Sequence, residues 1–196
     1  MKGDAPLVLA SSSPRRLALL RQVGIEPLRV LPPEVDEAPL KRELPRQYAL
    51  RLAADKLNAA LGALAGEAAF VIAADTVVAC GRRILPKVDD RATTERCLQL
   101  LSGRRHTVIG GVAVADPGRR IRTRLVSTRV RFKRLERSEI DRYLDSGEWQ
   151  GKAGGYAIQG RAEAFVLQIN GSYSNVVGLP LAETVNLLRG LGWTGS

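Results

Sequence analysis

Apolar positions change their period several times along the chain, and each change marks an element. Residues 7–10 form a short apolar run that breaks at Ser11-Ser12-Ser13-Pro14, after which Leu17, Leu20 and Val23 recur at helical spacing up to Gly24. This predicts a strand, a turn and a helix. Ser13 is the expected N-cap, Pro14 suits the first helical position because its missing N–H would be unpaired there anyway, and Gly24 suits the stop. An extended stretch over 27–31 runs into a loop rich in proline and acid that holds Glu34, Asp36 and Glu37. Residues 45–61 read as a helix with Tyr48, Leu52 and Ala59 toward one face and Arg51 and Asp55 as an i,i+4 pair.

Residues 70–80 are an apolar, β-prone run, predicted to be interrupted at Asp75-Thr76, and 90–101 read as a helix with Cys97, Leu98 and Leu101 inward. Strands over 106–114 and 121–132 flank the turn Asp116-Pro117-Gly118 and predict a long hairpin. A helix over 136–144, a glycine-rich stretch over 151–160, a strand over 164–169, the segment 171–180 and a last helix over 181–191 complete the chain. Helix-joined strands beside hairpin partners predict an α/β protein, a mixed sheet flanked by helices. There is no internal repeat and no long linker, so residues 1–196 read as one domain.

A chain of 196 residues with 45% hydrophobic and 26% charged positions can bury a core without a disulfide or metal staple. No apolar run approaches the roughly 18 to 20 residues that span a bilayer, and no secretion signal opens the chain, so the expected address is the cytoplasm, with no membrane partner. Cys80 and Cys97 have neither Cys-x-x-Cys spacing nor a nearby histidine, and read as small, partly buried hydrophobes. The net charge of +10 suits nucleic acid, an anionic membrane or a small polyanion such as a nucleotide. All but six of the 30 basic residues are arginines scattered among acids, and the groupings Arg119-Arg120 and 129–134 lack interleaved aromatics. A solvated basic surface is therefore expected rather than dedicated nucleic-acid binding.

Two segments stand out chemically. In Ser11-Ser12-Ser13-Pro14-Arg15-Arg16, hydroxyls, free amides and guanidiniums meet at a helix start. Arginines there oppose the helix dipole unless an anion is bound, and the set suits phosphates. In Ala74-Asp75-Thr76, a carboxylate sits inside a run that otherwise looks buried. Asp75 must lie at a strand end, pair with a cation or coordinate a metal, because an unpaired buried carboxylate costs several kcal/mol. It could serve as a general base beside a Mg²⁺ ion. Lys87 and Lys152 are lysines in an arginine-rich chain, compact charges able to neutralise a phosphate. Glu34, Asp36 and Glu37 read as solvated loop acids or cation holders. His106, the only histidine, lacks a nucleophile-elbow companion and reads as a packing residue.

Taken together and in order, these segments resemble the Maf family of nucleotide pyrophosphatases. The likeness rests on Leu9 through Arg16 with Leu19-Leu20, Ala74 through Val78, Leu85 through Asp89, Leu101-Ser102-Gly103 with His106, Lys152-Ala153-Gly154 with Ile158-Gln159-Gly160, and Gly171-Ser172-Tyr173 through Leu181. It implies a fold related to inosine triphosphatases, two lobes around a cleft, a homodimer, and metal-dependent (Mg²⁺ or Mn²⁺) hydrolysis of a nucleoside triphosphate to monophosphate and pyrophosphate. By matching position, it implies Asp75 as the base, Glu37, Lys56 and Lys87 as its companions, and Asp75 and Glu37 as metal ligands. It implies phosphate contacts from Ser11, Ser13, Arg15, Arg16 and Lys87. Arg15, Thr76 and Gln159 match positions that separate a branch acting on dTTP and UTP from one preferring 7-methyl-GTP. The chain departs from the family's Gly-Lys-Pro-x-Asp, having Pro86-Lys87-Val88-Asp89 instead. The competing reading is a non-catalytic nucleotide- or nucleic-acid-binding regulator of cell division.

Overall fold

The structure, a computed structural model, describes residues 5–195. β1 (Leu7–Ala10) leads through the serine turn into α1 (Pro14–Gln22), and β2 (Arg29–Val30) returns to pair with β1 in parallel. Residues 31–44 form neither helix nor strand and deliver the chain to α2 (Pro45–Ala63). There follow β3 (Phe70–Cys80), the short strands β4 (Arg83–Leu85) and β5 (Lys87–Val88), and α3 (Arg91–Leu101). The hairpin of β6 (Arg105–Ala115) and β7 (Ile121–Phe132) precedes α4 (Arg137–Asp145) and β8 (Lys152–Ala153). A 3-10 turn at Arg161–Phe165 then opens β9 (Val166–Asn170), followed by α5 (Tyr173–Val177) and α6 (Leu181–Gly190). The main sheet runs β2-β1-β3-β6-β7-β9 with β4 on the edge of β3, while β5 and β8 form a separate ribbon.

A gap in this sheet creates the room for a site. β1 pairs with β3 only as far as Ala10↔Ala73, and β4 takes up the same edge only from Val78↔Leu85. Among the described residues, 74–77 of β3 therefore have β6 on one side and no strand on the other. The gap lies just past the C-terminal end of β1, where open α/β sheets place their ligands.

Strand alternation sorts the core into two faces. Leu7, Leu9, Ile72, Ala74 and Val78 join the larger core, which runs continuously through Leu19 and Leu20 of α1, Leu98 and Leu101 of α3, Tyr143 and Leu144 of α4, and Leu188 of α6. Val8, Ala10, Val71 and Ala73 face α2 through Ala53, Leu57 and Ala60. Helix α2 lies close on the sheet because β6 carries Gly111 opposite Asp75, while the neighbouring Gly110, opposite Thr76, admits α5 on the other face. A Cβ on Gly111 would stand 2.2 Å from Ala49 O, and one on Gly110 2.0 Å from Asn175 Oδ1.

The mixed sheet flanked by helices agrees with the sequence reading, and several details differ from it. β3 is unbroken through Asp75-Thr76, because β6 pairs with it along that whole stretch. The buried face of α2 is Ala49, Leu52, Ala53, Lys56, Leu57 and Ala60; Ala59 lies beside it and is half-buried. Ser13 is the backbone N-cap of α1, yet its hydroxyl caps no N–H. The strand expected over 164–169 begins at Val166, since the preceding residues wind into the 3-10 turn that buries Ala162 and Phe165. The two lobes are unequal, the smaller being the β5–β8 ribbon with α3 and α4, and they share the larger core. Among the described residues no helix is long and apolar enough to cross a membrane. His106 is buried in edge-on contact with Phe132 and Tyr156, its Nε2 2.8 Å from the Tyr156 hydroxyl; burial lowers its pKa to about 4, so it is a neutral packing residue. Cys97 is buried and Cys80 half-buried, both as free thiols.

Because the obstacle at Gly111 is helix backbone, Gly111→Ala has no flexible neighbour to displace. It is expected to destabilise the protein by about 1–3 kcal/mol in urea unfolding, the usual cost of overpacking; a loss below about 0.5 kcal/mol would show that α2 can lift from the sheet freely.

Candidate active site

A cavity of about 290 Å³ opens at the β3 gap. The ten residues that the resemblance assigns to a site all line it: Ser11, Ser13, Arg15, Arg16, Glu37, Lys56, Asp75, Thr76, Lys87 and Gln159. They come from the β1–α1 turn, the 31–44 loop, α2, β3, β5 and the glycine-rich stretch, so the fold brings them together from six places in the chain.

Asp75 and Thr76 leave β3 toward opposite faces. Asp75 points at α2, where Lys56 Nζ lies 2.6 Å from its Oδ1, and both side chains are buried. The same ammonium lies 2.6 Å from Glu37 Oε1, so one lysine holds two carboxylates. Lys87 pairs with the other oxygen of Glu37. Partial burial works to raise the Glu37 pKa, but the hydrogen bonds and charges of Lys56 and Lys87 prevail and hold it at about 2. With proline before rather than after it, Lys87 lies in β5, and the Pro86 carbonyl accepts from the Gly154 N–H at 2.9 Å. Gly154 has φ +67° and a Cβ there would meet Val78 at 2.9 Å, so the ribbon can sit this close to β3 only with glycine.

Thr76 faces the other way, into a polar brace built on Arg16. The Arg16 guanidinium donates to Ser11 Oγ (3.1 Å), Thr76 Oγ1 (3.2 Å) and Gly178 O (2.8 Å), while Thr76 Oγ1 donates to Gly178 O (3.2 Å). Arg16 thus ties the β1–α1 turn to β3 and to the end of α5, a task that no sequence signal announces. Arg15 is half-buried and its Nε reaches Val177 O at 3.4 Å. The Ser13 N–H donates to Ser11 Oγ, and the Ser13 hydroxyl is buried without a partner while lining the cavity. Gln159 is exposed at the rim and makes no side-chain hydrogen bond among the described residues.

Two more groups belong here. Lys152 lines the cavity and donates to Gln150 O (2.9 Å); burial and then the charge of Arg15 lower its pKa. Tyr48 of α2 donates its hydroxyl to Glu37 O at 2.5 Å, and burial, then the carboxylates of Asp75 and Glu37, push that hydroxyl up to about 12. Helical periodicity places Tyr48 on the sheet side of α2, and nothing in the sequence joins it to Glu37. Of the loop acids, only Glu37 lines the cavity; Glu34 and Asp36 are exposed.

Formally, five cationic side chains (Arg15, Arg16, Lys56, Lys87, Lys152) face two anionic ones in the cavity. The excess attracts a polyanion, and the Ser13 hydroxyl, without a partner among the described residues, is left with a hydrogen bond to donate. Among the described residues no three His, Cys, Asp or Glu side chains cluster as metal ligands. One or two carboxylates with phosphate oxygens is nevertheless the way Mg²⁺ is ordinarily held, so the chemistry of Asp75 and Glu37 suits such an ion, although the point on which they converge here is Lys56 Nζ.

The cavity and fold define an α/β protein with an excess of cationic side chains around paired carboxylates. The profile of the Maf-like protein family matches residues 6–191, and the chain belongs to that family. It is 60% identical over 189 residues to a protein of Paramagnetospirillum magneticum named dTTP/UTP pyrophosphatase, covering 96% of this chain and 98% of that one. It is 57% identical over 191 residues to one of the same name in Mesorhizobium japonicum, covering 95% and 92%. Among solved structures, a nucleoside-triphosphatase / dITP/XTP pyrophosphatase of Mycobacterium abscessus superposes with a TM-score of 0.41 at 17% identity, covering 94% of this chain and 93% of that one.

The depressed Glu37 pKa carries a sign for stability. Its folded value lies below the ordinary 4.5, so its contribution is complete above about pH 4.5 and disappears as pH falls through about 2. Glu37→Gln is expected to be less stable than the parent at pH 7, with the gap closing between pH 4.5 and 2 in unfolding curves taken across that range.

Proposed function

We propose that this chain is a nucleoside triphosphate pyrophosphatase that cleaves between the α and β phosphates, with dTTP and UTP as its preferred substrates. The observation that carries the reading is the Glu37–Lys56–Asp75 group beside the Ser11–Arg16 turn in one cavity. A module built only to bind polyanions gains nothing from two carboxylates in that cavity, which disfavours the non-catalytic regulator.

In this reading Asp75 takes a proton from water as its oxygen attacks the α-phosphorus, and the bond to the bridging oxygen breaks to release pyrophosphate. Lys56 holds the Asp75 carboxylate in place through Oδ1. Lys87 and Lys152 neutralise charge that builds on the leaving group, the usual dominant contribution in such transfers. Ser13 and the free amides at the start of α1 bind phosphate oxygens. Glu37 and Asp75 would hold a divalent cation, Mg²⁺ or Mn²⁺, together with substrate oxygens, and the ion when bound supplies charge neutralisation and a more acidic water. Arg15 and Gln159, which both line the cavity, are the side chains this reading assigns to the base.

Asp75→Asn keeps the shape of the side chain and removes the base. It is expected to fold and to lose at least about a hundredfold in kcat, the low end of general-base contributions. The check is ion-exchange separation of monophosphate and pyrophosphate after incubation with Mg²⁺ or Mn²⁺ and dTTP, UTP, CTP, GTP, 7-methyl-GTP or ITP. Turnover by the parent of none of these, from folded protein with metal present, would sink the reading.

Arg15→Ala and Gln159→Ala are expected to reorder kcat/KM among the same nucleotides while leaving the melting temperature nearly unchanged. An unaltered ranking from folded variants would remove base recognition from these two residues.

A further inference from the structure

The Glu37 carboxylate sits in the cavity although the segment that carries it has no regular structure. After Leu31, whose N–H donates to Leu9 O, residues 32–44 make no backbone hydrogen bond to the sheet. Their own bonds are local turns: Ala38 N–H to Asp36 Oδ1 (2.9 Å), Leu40 N–H to Glu43 Oε2 (2.9 Å) and Glu43 N–H to Leu40 O (3.0 Å). A loop of this kind would ordinarily sample many positions, and a carboxylate on it would spend much of its time away from Lys56.

Two side chains one turn apart on α2 prevent this. Tyr48 donates its hydroxyl to Glu37 O at 2.5 Å, the backbone carbonyl of the residue whose side chain enters the site. Arg51 donates to Ala38 O (3.1 Å) from Nη2 and grips Glu43 with two parallel bonds, Nε to Oε1 (2.7 Å) and Nη2 to Oε2 (2.8 Å). The Arg51 guanidinium also lies 5.5 Å from the centre of the Tyr48 ring, and Asp55 holds it from the next turn at 3.2 Å. The two anchors therefore support each other and hold successive residues of the loop. They rise from the same helix that presents Lys56, so α2 carries both the ammonium and the clamp that brings Glu37 to it.

We propose that Tyr48 and Arg51 are positioning residues for Glu37, acting on the 37–43 backbone rather than on substrate, so that Glu37 meets Lys56 and Lys87 before a nucleotide arrives. The kinetic part rests on the pyrophosphatase reading above; the part about the loop does not.

The experiment uses the full chain with Tyr48→Phe, which keeps the ring and removes one hydroxyl, and the pair Arg51→Leu and Arg51→Lys. Amide hydrogen exchange is followed over residues 34–43 in the protein without nucleotide, and kcat and KM for dTTP are measured with Mg²⁺. Tyr48→Phe should exchange about tenfold faster in that segment than the parent, with α2 and β3 unchanged, the loss of a single hydrogen bond being of that order. Its kcat should fall about tenfold with KM altered less than twofold, because charge elsewhere in the cavity still binds the phosphates. Arg51→Leu should behave alike, and Arg51→Lys should recover part of both losses, having charge without the fork that grips Glu43.

Unchanged exchange over 34–43 in both Tyr48→Phe and Arg51→Leu would overturn the proposal. So would faster exchange with kcat untouched, since Glu37 would then reach its place without the clamp. Should the parent hydrolyse no nucleoside triphosphate, the pyrophosphatase reading fails by itself and exchange alone decides the clamp. In that case local acceleration upholds it and its absence overturns it. If Tyr48→Phe does not fold, the same two outcomes are read from the arginine pair.

Discussion

The arrangement depends on one buried ammonium. Among the described residues Lys56 is the one cation paired with Asp75, and it also holds Glu37, each at 2.6 Å. Two carboxylates brought this close would repel each other, and burying either alone would be expensive. Removing one member of a buried pair typically costs about 3–5 kcal/mol because the other is left uncompensated. Lys56 can do this only from the buried face of α2, one turn beyond Ala53 and one before Ala60. The small residues on that face and Gly111 beneath it set the height of the helix above the sheet, and with it the reach of the lysine.

A second, separate set of bonds fixes the opposite wall. Arg16 donates to the serine turn, to β3 and to the carbonyl that ends α5, so the serine turn cannot shift without moving Thr76 and Gly178 as well. The two walls share β3: Asp75 serves one face and Thr76 the other, and both open on the cavity because no strand covers residues 74–77 on that edge. A carboxylate pair and a guanidinium brace thus stand side by side without an ion pair that would cancel them. The cations lining the cavity outnumber the anions, a balance that suits a triphosphate better than a neutral ligand.

The basic surplus of the chain divides along the same lines. Arg15, Arg16, Lys56, Lys87 and Lys152 face the cavity, while most other arginines lie on exposed surface, several in ion pairs with nearby acids such as Glu26, Glu95 and Asp145. Exposed pairs of this kind contribute little to stability, and the cavity cations matter through their placement rather than their number.

Much of the molecule was legible in the sequence. Local periodicity marked β1, α1, α2, the β6–β7 hairpin and α6 within a few residues, because side-chain alternation and helical spacing are properties of neighbouring positions. The chemistry of the Ser11–Arg16 turn and the oddity of a carboxylate in an apolar run were visible too, since both are violations of local rules. What required the tertiary structure was every relation across the chain. That β3 runs unbroken through Asp75 depends on β6, far away in sequence; that Glu37 and not Asp36 enters the cavity depends on Tyr48 and Arg51; that Arg16 is a brace depends on a carbonyl 162 residues away. The sequence by itself determined which residues could do chemistry, because charge and hydrogen-bonding capacity travel with the residue. Only the packed fold decided which of them meet, because contact between distant segments is set by how closely helices lie on the sheet and where its edge is left open.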